Sequence, residues 1–199
     1  LMEAPLGAGD KPNVDKTPRG DIRGIHDARV PNLGIDKEDH PPAAQPRHRG
    51  LARLSLWRKA RHPGIQQLCA KLDVNRAFKW HAIAPEDVPE FGTRLPGTPV
   101  GLQGDVLIVY CVLTFGWTGS PGEYMGFAGG VKGAHAGLRP PRPEGNAGGA
   151  FCAKLLMDDG VVLEPLLGVR PWISLEALKD QLRYFWGAEA INLGKLTEE

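Results

Sequence analysis

The stretch Phe151-Cys-Ala-Lys-Leu-Leu-Met-Asp-Asp-Gly-Val-Val-Leu163 decides how this chain folds. Apolar runs on either side of Asp158-Asp159 predict two buried strands, and Asp-Asp-Gly supplies turn chemistry for a hairpin between them. Two carboxylates forced together at the tip of a buried hairpin repel each other. At about 4 Å and an effective dielectric near 20, that repulsion costs roughly 4 kcal/mol. A divalent cation removes it, because carboxylate oxygens are the ligands Mg²⁺ prefers. For these residues taken alone, an ordinary exposed Asp-Gly turn is the alternative.

The chain has 199 residues, 42% of them apolar and 24% charged, enough for one domain with a core or part of a larger one. A formal net charge of +1 gives no global signal for nucleic acid, so any basic footprint must be local. Cys69, Cys111 and Cys152 are odd in number and lack C-x-x-C spacing. They predict reduced core thiols of an intracellular (cytoplasmic or nuclear) protein, with neither a disulfide framework nor a zinc site. No apolar run has the length of a membrane span and no secretory signal opens the chain. The ends, Leu1 and Glu199, give the expectation of a fragment of a longer polypeptide.

Working outward, residues 1–20 are rich in Gly, Pro and charge and are expected to form a poorly ordered or extended arm. Residues 21–32 predict a short strand ended by Pro31-Asn32. Residues 47–62 carry Arg47, Arg49, Arg53, Arg58, Lys59 and Arg61 without an acid, and Leu51, Leu54 and Trp57 fall at helical spacing. Such a helix is either a solvated face over a core or a contact for a nucleic-acid backbone, with Arg53 and Arg58 as candidates. Residues 68–74 read as a short buried strand, and residues 106–113 as the strongest strand by β-branched and apolar content. Ser120 with Glu123 matches a capping box, with Pro121 at the first helical position, so a helix is expected to about Ala136. Its glycines, Gly126, Gly129, Gly130 and Gly133, each cost about 1 kcal/mol relative to alanine in a helix interior. Either the backbone approaches something closely there or the sequence is a decaying copy. Residues 174–186 predict an amphipathic helix with Ser174 as N-cap. Irregular alternation of strands and helices around hairpins favours an α+β fold.

Taken in order, these pieces resemble the fingers and palm of a retroelement reverse transcriptase, from roughly Lys16 to Lys195. Asp73-Val-Asn-Arg-Ala-Phe78 resembles the first palm motif, Phe115-Gly-Trp-Thr-Gly-Ser-Pro121 the second, Met157-Asp-Asp159 the third and Ile191-Asn-Leu-Gly-Lys195 the fourth. Arg23-Gly-Ile-His-Asp-Ala-Arg-Val-Pro-Asn32 resembles a fingers motif. Each is weak alone; their order and spacing carry the resemblance. Leu156 stands where the family commonly has Tyr.

The resemblance implies a right-hand polymerase fold with an antiparallel palm sheet packed on helices and no thumb. It divides the chain into the arm (1–20), fingers (21–67), palm (68–83), fingers (84–111) and palm (112–199). It implies an RNA-directed DNA polymerase that joins a dNTP to a primer 3′-hydroxyl on an RNA or DNA template. Asp73, Asp158 and Asp159 would be catalytic and would hold two Mg²⁺ or Mn²⁺ ions. In-line phosphoryl transfer needs positioned reactants and neutralised charge, which such ions provide. Arg23, Val74, Phe78 and Lys195 would meet the incoming dNTP, with Phe78 excluding a 2′-hydroxyl and Lys16 assisting from the fingers. Ser120 and Pro121 would shape the helix beneath template and primer. Asp27 and Arg29 are expected to form a structural ion pair. Thumb, ribonuclease H and integrase regions are expected in the parent polypeptide, and no membrane is expected as partner. Competing readings are an inactive or domesticated remnant that at most binds nucleic acid, a palm polymerase that makes RNA, and a metal-dependent nuclease.

Overall fold

In a computed structural model, residues 6–12, 18–98, 101–138, 149–195 and 197–198 are described. The chain forms two compact units that interleave in sequence: Leu1–His40 with Phe78–Ser120, and Pro41–Ala77 with Pro121–Glu199. Both mix helices with antiparallel strands.

The first unit holds β1 (Leu6–Pro12) and β2 (Pro18–His26), paired antiparallel. Residues 6–12, expected in a poorly ordered or extended arm, form a strand. The strand expected over 21–32 stops at His26, and Pro31-Asn32 lie inside the short helix α1 (Arg29–Leu33). Asp27 and Arg29 form the expected ion pair, with Nε 2.8 Å from one carboxylate oxygen and 3.0 Å from the other.

Helix α2 (His48–Arg61) and strand β3 (Gln67–Asp73) belong to the second unit, and β4 (Gly92–Pro96) with β5 (Asp105–Val109) forms a ribbon in the first. The strand expected over 106–113 divides at Tyr110, because its second half changes partner: Ile83 N–H donates to the Cys111 carbonyl, and Leu113 N–H to that of His81. Leu107, Ile108 and Val109 remain 37–45% exposed on the ribbon. Phe91 and His40 set ring edges against Trp117, each with centroids 5.0 Å apart.

The second unit is a four-stranded sheet in the order β6-β7-β3-β8, all neighbours antiparallel, where β6 is Ala153–Leu156, β7 Asp159–Pro165 and β8 Thr197–Glu198. Side chains alternate across a strand. Ala70 and Leu72 on β3, Leu155 on β6 and Val162 on β7 therefore share one fully buried face. Helices α3 (Ser120–Gly137) and α4 (Arg170–Trp186) complete this core with Tyr124, Ala128 and Val131, and with Leu175, Leu178, Leu182 and Trp186. Each leucine buried there contributes about 1.5–3 kcal/mol. Gly160 in β7 leaves room for two buried leucines: a Cβ would lie 2.6 Å from Leu72 Cδ1 and 3.1 Å from Leu155 Cδ2, so a side chain there would displace them.

Two helix starts depart from expectation. Helix α4 begins a turn before Ser174, with Pro171 in its first turn, where a missing N–H costs nothing. Ser174 is instead fully buried inside the helix. At α3, the Ser120 hydroxyl donates to the Thr114 carbonyl at 2.7 Å, which ties the preceding loop to the helix start.

Candidate active site

The expected turn at Asp-Asp-Gly is one residue earlier. β6 and β7 join through Met157 and Asp158 alone, so Leu156 faces Asp159 across the hairpin and Asp159 already belongs to β7. Met157 has φ of 53°, the left-handed region that two-residue hairpins normally give to glycine at this position. Two neighbours fix the strained turn. Val74 N–H donates to the Asp158 carbonyl at 2.6 Å. The Tyr124 hydroxyl, from α3, donates to the Met157 carbonyl at 2.8 Å. Tyr124 is fully buried and its ring stacks on Trp186 with centroids 5.4 Å apart. Burial, with the charge of Asp158 adding to it, raises the phenol's pKa well above its usual value and keeps it a donor.

β3 and β7 place Asp73 directly opposite Asp159. Directly opposed residues of an antiparallel pair point to the same face with Cβ atoms about 4.5–5.5 Å apart, so two like charges share one end of the sheet. Asp158 stands in the adjoining turn, exposed. The three acids thus come from two sequence motifs far apart and meet at one end of β3 and β7.

Their side chains take separate partners. Asp159 pairs with Lys71, two residues before Asp73 on the same face of β3, at 3.1 Å. Asp73 is buried, and its Oδ2 accepts from Asn192 Nδ2 at 3.3 Å while its carbonyl accepts from Asn192 N–H at 2.9 Å. Among the described residues, no three His, Cys, Asp or Glu side chains are grouped to hold a metal. The donor set nevertheless suits one: the acids offer only carboxylate oxygens, and like charges opposed across a ladder are destabilising without a cation.

Residues 189–192 are bound closely to the end of β3. Asn75 N–H donates to the Ala190 carbonyl at 2.8 Å, its side-chain amide to that of Glu189 at 3.2 Å, and Ile191 bridges Val74. Val74 is buried at 2% exposure. Lys195 closes a short 3-10 turn from Leu193, and its side chain lies outside the described residues. So does the side chain of Arg23, whose backbone pairs with Gly9, and all of Lys16.

In the first unit, Phe78 is buried with its ring edge against Phe115, centroids 4.8 Å apart. The fingers motif and the Phe-Gly-Trp-Thr-Gly-Ser loop are joined by Asn32, whose side chain donates to the Gly116 carbonyl at 2.8 Å and accepts from Thr118 N–H at 2.9 Å. Pro121 follows Ser120 in the first turn of α3. The backbone of that turn makes the one close approach for which a helix glycine is needed: a Cβ on Gly122 would overlap the Pro41 carbonyl.

The basic segment requires a correction. Arg53 is exposed, but Arg58 is 2% exposed and faces inward, 3.1 Å from Glu164 Oε2, so it is unavailable to a phosphate backbone. The inner stripe of α2 runs through Leu51, Leu54 and Arg58 to His62 just past the helix end, leaving Trp57 on the outside. Glu164 itself is fully buried. It also accepts from Arg170 Nε at 2.7 Å, the Cys152 N–H at 3.0 Å and the Ser174 hydroxyl at 3.4 Å. Charges buried this way are tolerated only when hydrogen-bonded and paired.

Sequence reading missed Lys71, Tyr124 and Asn192. Alternation along β3 places Lys71 on the face of Asp73, so it was available from the pattern. Tyr124 and Asn192 reach the acids through tertiary contacts that no local pattern encodes. The chain matches no protein-family model and no curated protein. Among the described residues, no helix is long and apolar enough to cross a membrane.

Proposed function

We propose that this chain is the RNA-directed DNA polymerase core of a retrotransposon-derived protein, an intracellular nucleotidyltransferase that extends a primer from dNTPs. The observation that carries the reading is the register of β3 and β7, with Asp73 opposite Asp159 and Asp158 in the adjoining turn. Asp73, Asp158 and Asp159 would hold two Mg²⁺ or Mn²⁺ ions, which when bound neutralise charge and raise the nucleophilicity of the primer hydroxyl. Asn192 orients the Asp73 carboxylate, and Tyr124 and Val74 hold the turn that carries Asp158. Lys71 keeps the Asp159 carboxylate at the sheet end.

The inactive remnant is the second reading. It is favoured by the same Lys71–Asp159 pair, which gives Asp159 a protein cation as its partner. Primer extension on an RNA template with dNTPs and Mg²⁺ or Mn²⁺, by the chain extended through any downstream thumb, separates the two. The parent is expected to extend the primer, and Asp158→Asn/Asp159→Asn to fall to the no-enzyme background while keeping the parent's unfolding midpoint. No extension by a cooperatively folded parent would leave the remnant.

A further inference from the structure

The outward side of α2 is not used by the carboxylate site. Arg49, Arg53, Trp57 and Arg61 follow one another at i, i+4 spacing and are all exposed, Trp57 at 52%. Neighbours at that spacing lie one above the other on a helix, so the row runs about 18 Å at 1.5 Å per residue. Arg47 and Lys59 add exposed positive charge beside it. No acid occurs between Asp39 and Asp73, and none of these five cations forms an ion pair among the described residues. The Arg61 guanidinium sits 5.6 Å from the Trp57 ring centroid, and that of Arg58 5.3 Å. These contacts hold the indole in place, although half of its surface is open to water.

We propose that this row is a binding surface for single-stranded nucleic acid, with Arg49, Arg53 and Arg61 on phosphates and one unpaired base stacked on Trp57. The charge fixes the partner as a polyanion, and the indole selects a strand whose bases are free to stack, because duplex bases are not. The partner class is shared with the polymerase reading, but the surface contains none of the acids and stands or falls separately.

The test is fluorescence anisotropy of a short labelled oligouridylate, titrated with the protein across a salt series. Duplex RNA of the same length and phosphatidylserine-containing vesicles serve as competitors. Trp57→Ala is expected to weaken binding roughly 5- to 150-fold, the range for losing one stacked base, and Trp57→Phe to recover most of it. Arg49→Ala/Arg53→Ala/Arg61→Ala is expected to lower the slope of log affinity on log salt by about 2, from some 0.7 per phosphate neutralised on a single strand. Mn²⁺ binding at the carboxylate site should be the same in Trp57→Ala as in the parent, which distinguishes loss of this surface from loss of the acids' site. Parent-like affinity in Trp57→Ala, equal preference for duplex, or displacement of the RNA by vesicles would each overturn the proposal.

Discussion

At the scale of single residues, the site depends on a methionine in a conformation that suits glycine. Met157 at φ of 53° is held by the Tyr124 hydroxyl and by pairing of the turn with Val74. Removing the hydroxyl leaves the Met157 carbonyl without that donor while the stacked ring remains. Tyr124→Phe should therefore destabilise the fold by about 1 kcal/mol, the usual net value of such a bond. In urea unfolding the midpoint falls, and amide exchange at residues 156–160 quickens relative to the rest of β7. An unchanged midpoint with unchanged exchange would show that the turn stands without Tyr124. Glu164 is a different case: it serves the core. Two arginines, a serine and a backbone N–H converge on it, so it holds α2 and α4 to the end of β7.

At the scale of elements, the glycines of α3 divide into two kinds. Gly122 is needed because its backbone meets Pro41. Gly126, Gly129 and Gly133 have no described atom within 4 Å of where a Cβ would stand, and Gly130 meets only the Phe185 ring, at an ordinary 3.4 Å. Alanine at Gly126, Gly129 and Gly133 should raise stability by about 1 kcal/mol each, through helix propensity alone. A thermal unfolding series of the single and combined variants checks this; a loss on combination would mean that another surface needs the bare backbone. Local pattern revealed what local physics determines: β3, the hairpin of β6 and β7, and the reach of α3 were all legible. It failed where a long-range partner decides. The run 106–113 looks like one strand, yet Cys111–Leu113 exchange β4 for residues 81–83. Arg58 looks like part of a basic face because its partner Glu164 is remote in sequence and lies in an apolar run that gives no hint of a buried acid.

At the scale of the whole chain, the two units are woven from alternating segments, with changeovers after His40, Ala77 and Ser120. Two of these fall inside motifs read from the sequence: Phe78 separates from Asp73, and Pro121 from Ser120. Composition marks the changeover after His40, where Pro41-Pro42-Ala-Ala-Gln-Pro46 follows, but it cannot place the one after Ala77, which falls inside a motif. What the topology does secure is the meeting of Asp73 with Asp159 inside one unit, and the account rests on those acids forming one cation site. The direct measurement is Mn²⁺ binding followed by electron paramagnetic resonance, comparing the parent with Asp73→Asn and with Asp159→Asn. The account predicts saturable binding by the parent and a loss in both variants, although the two positions are far apart in sequence. Parent-like binding in Asp73→Asn would contradict it.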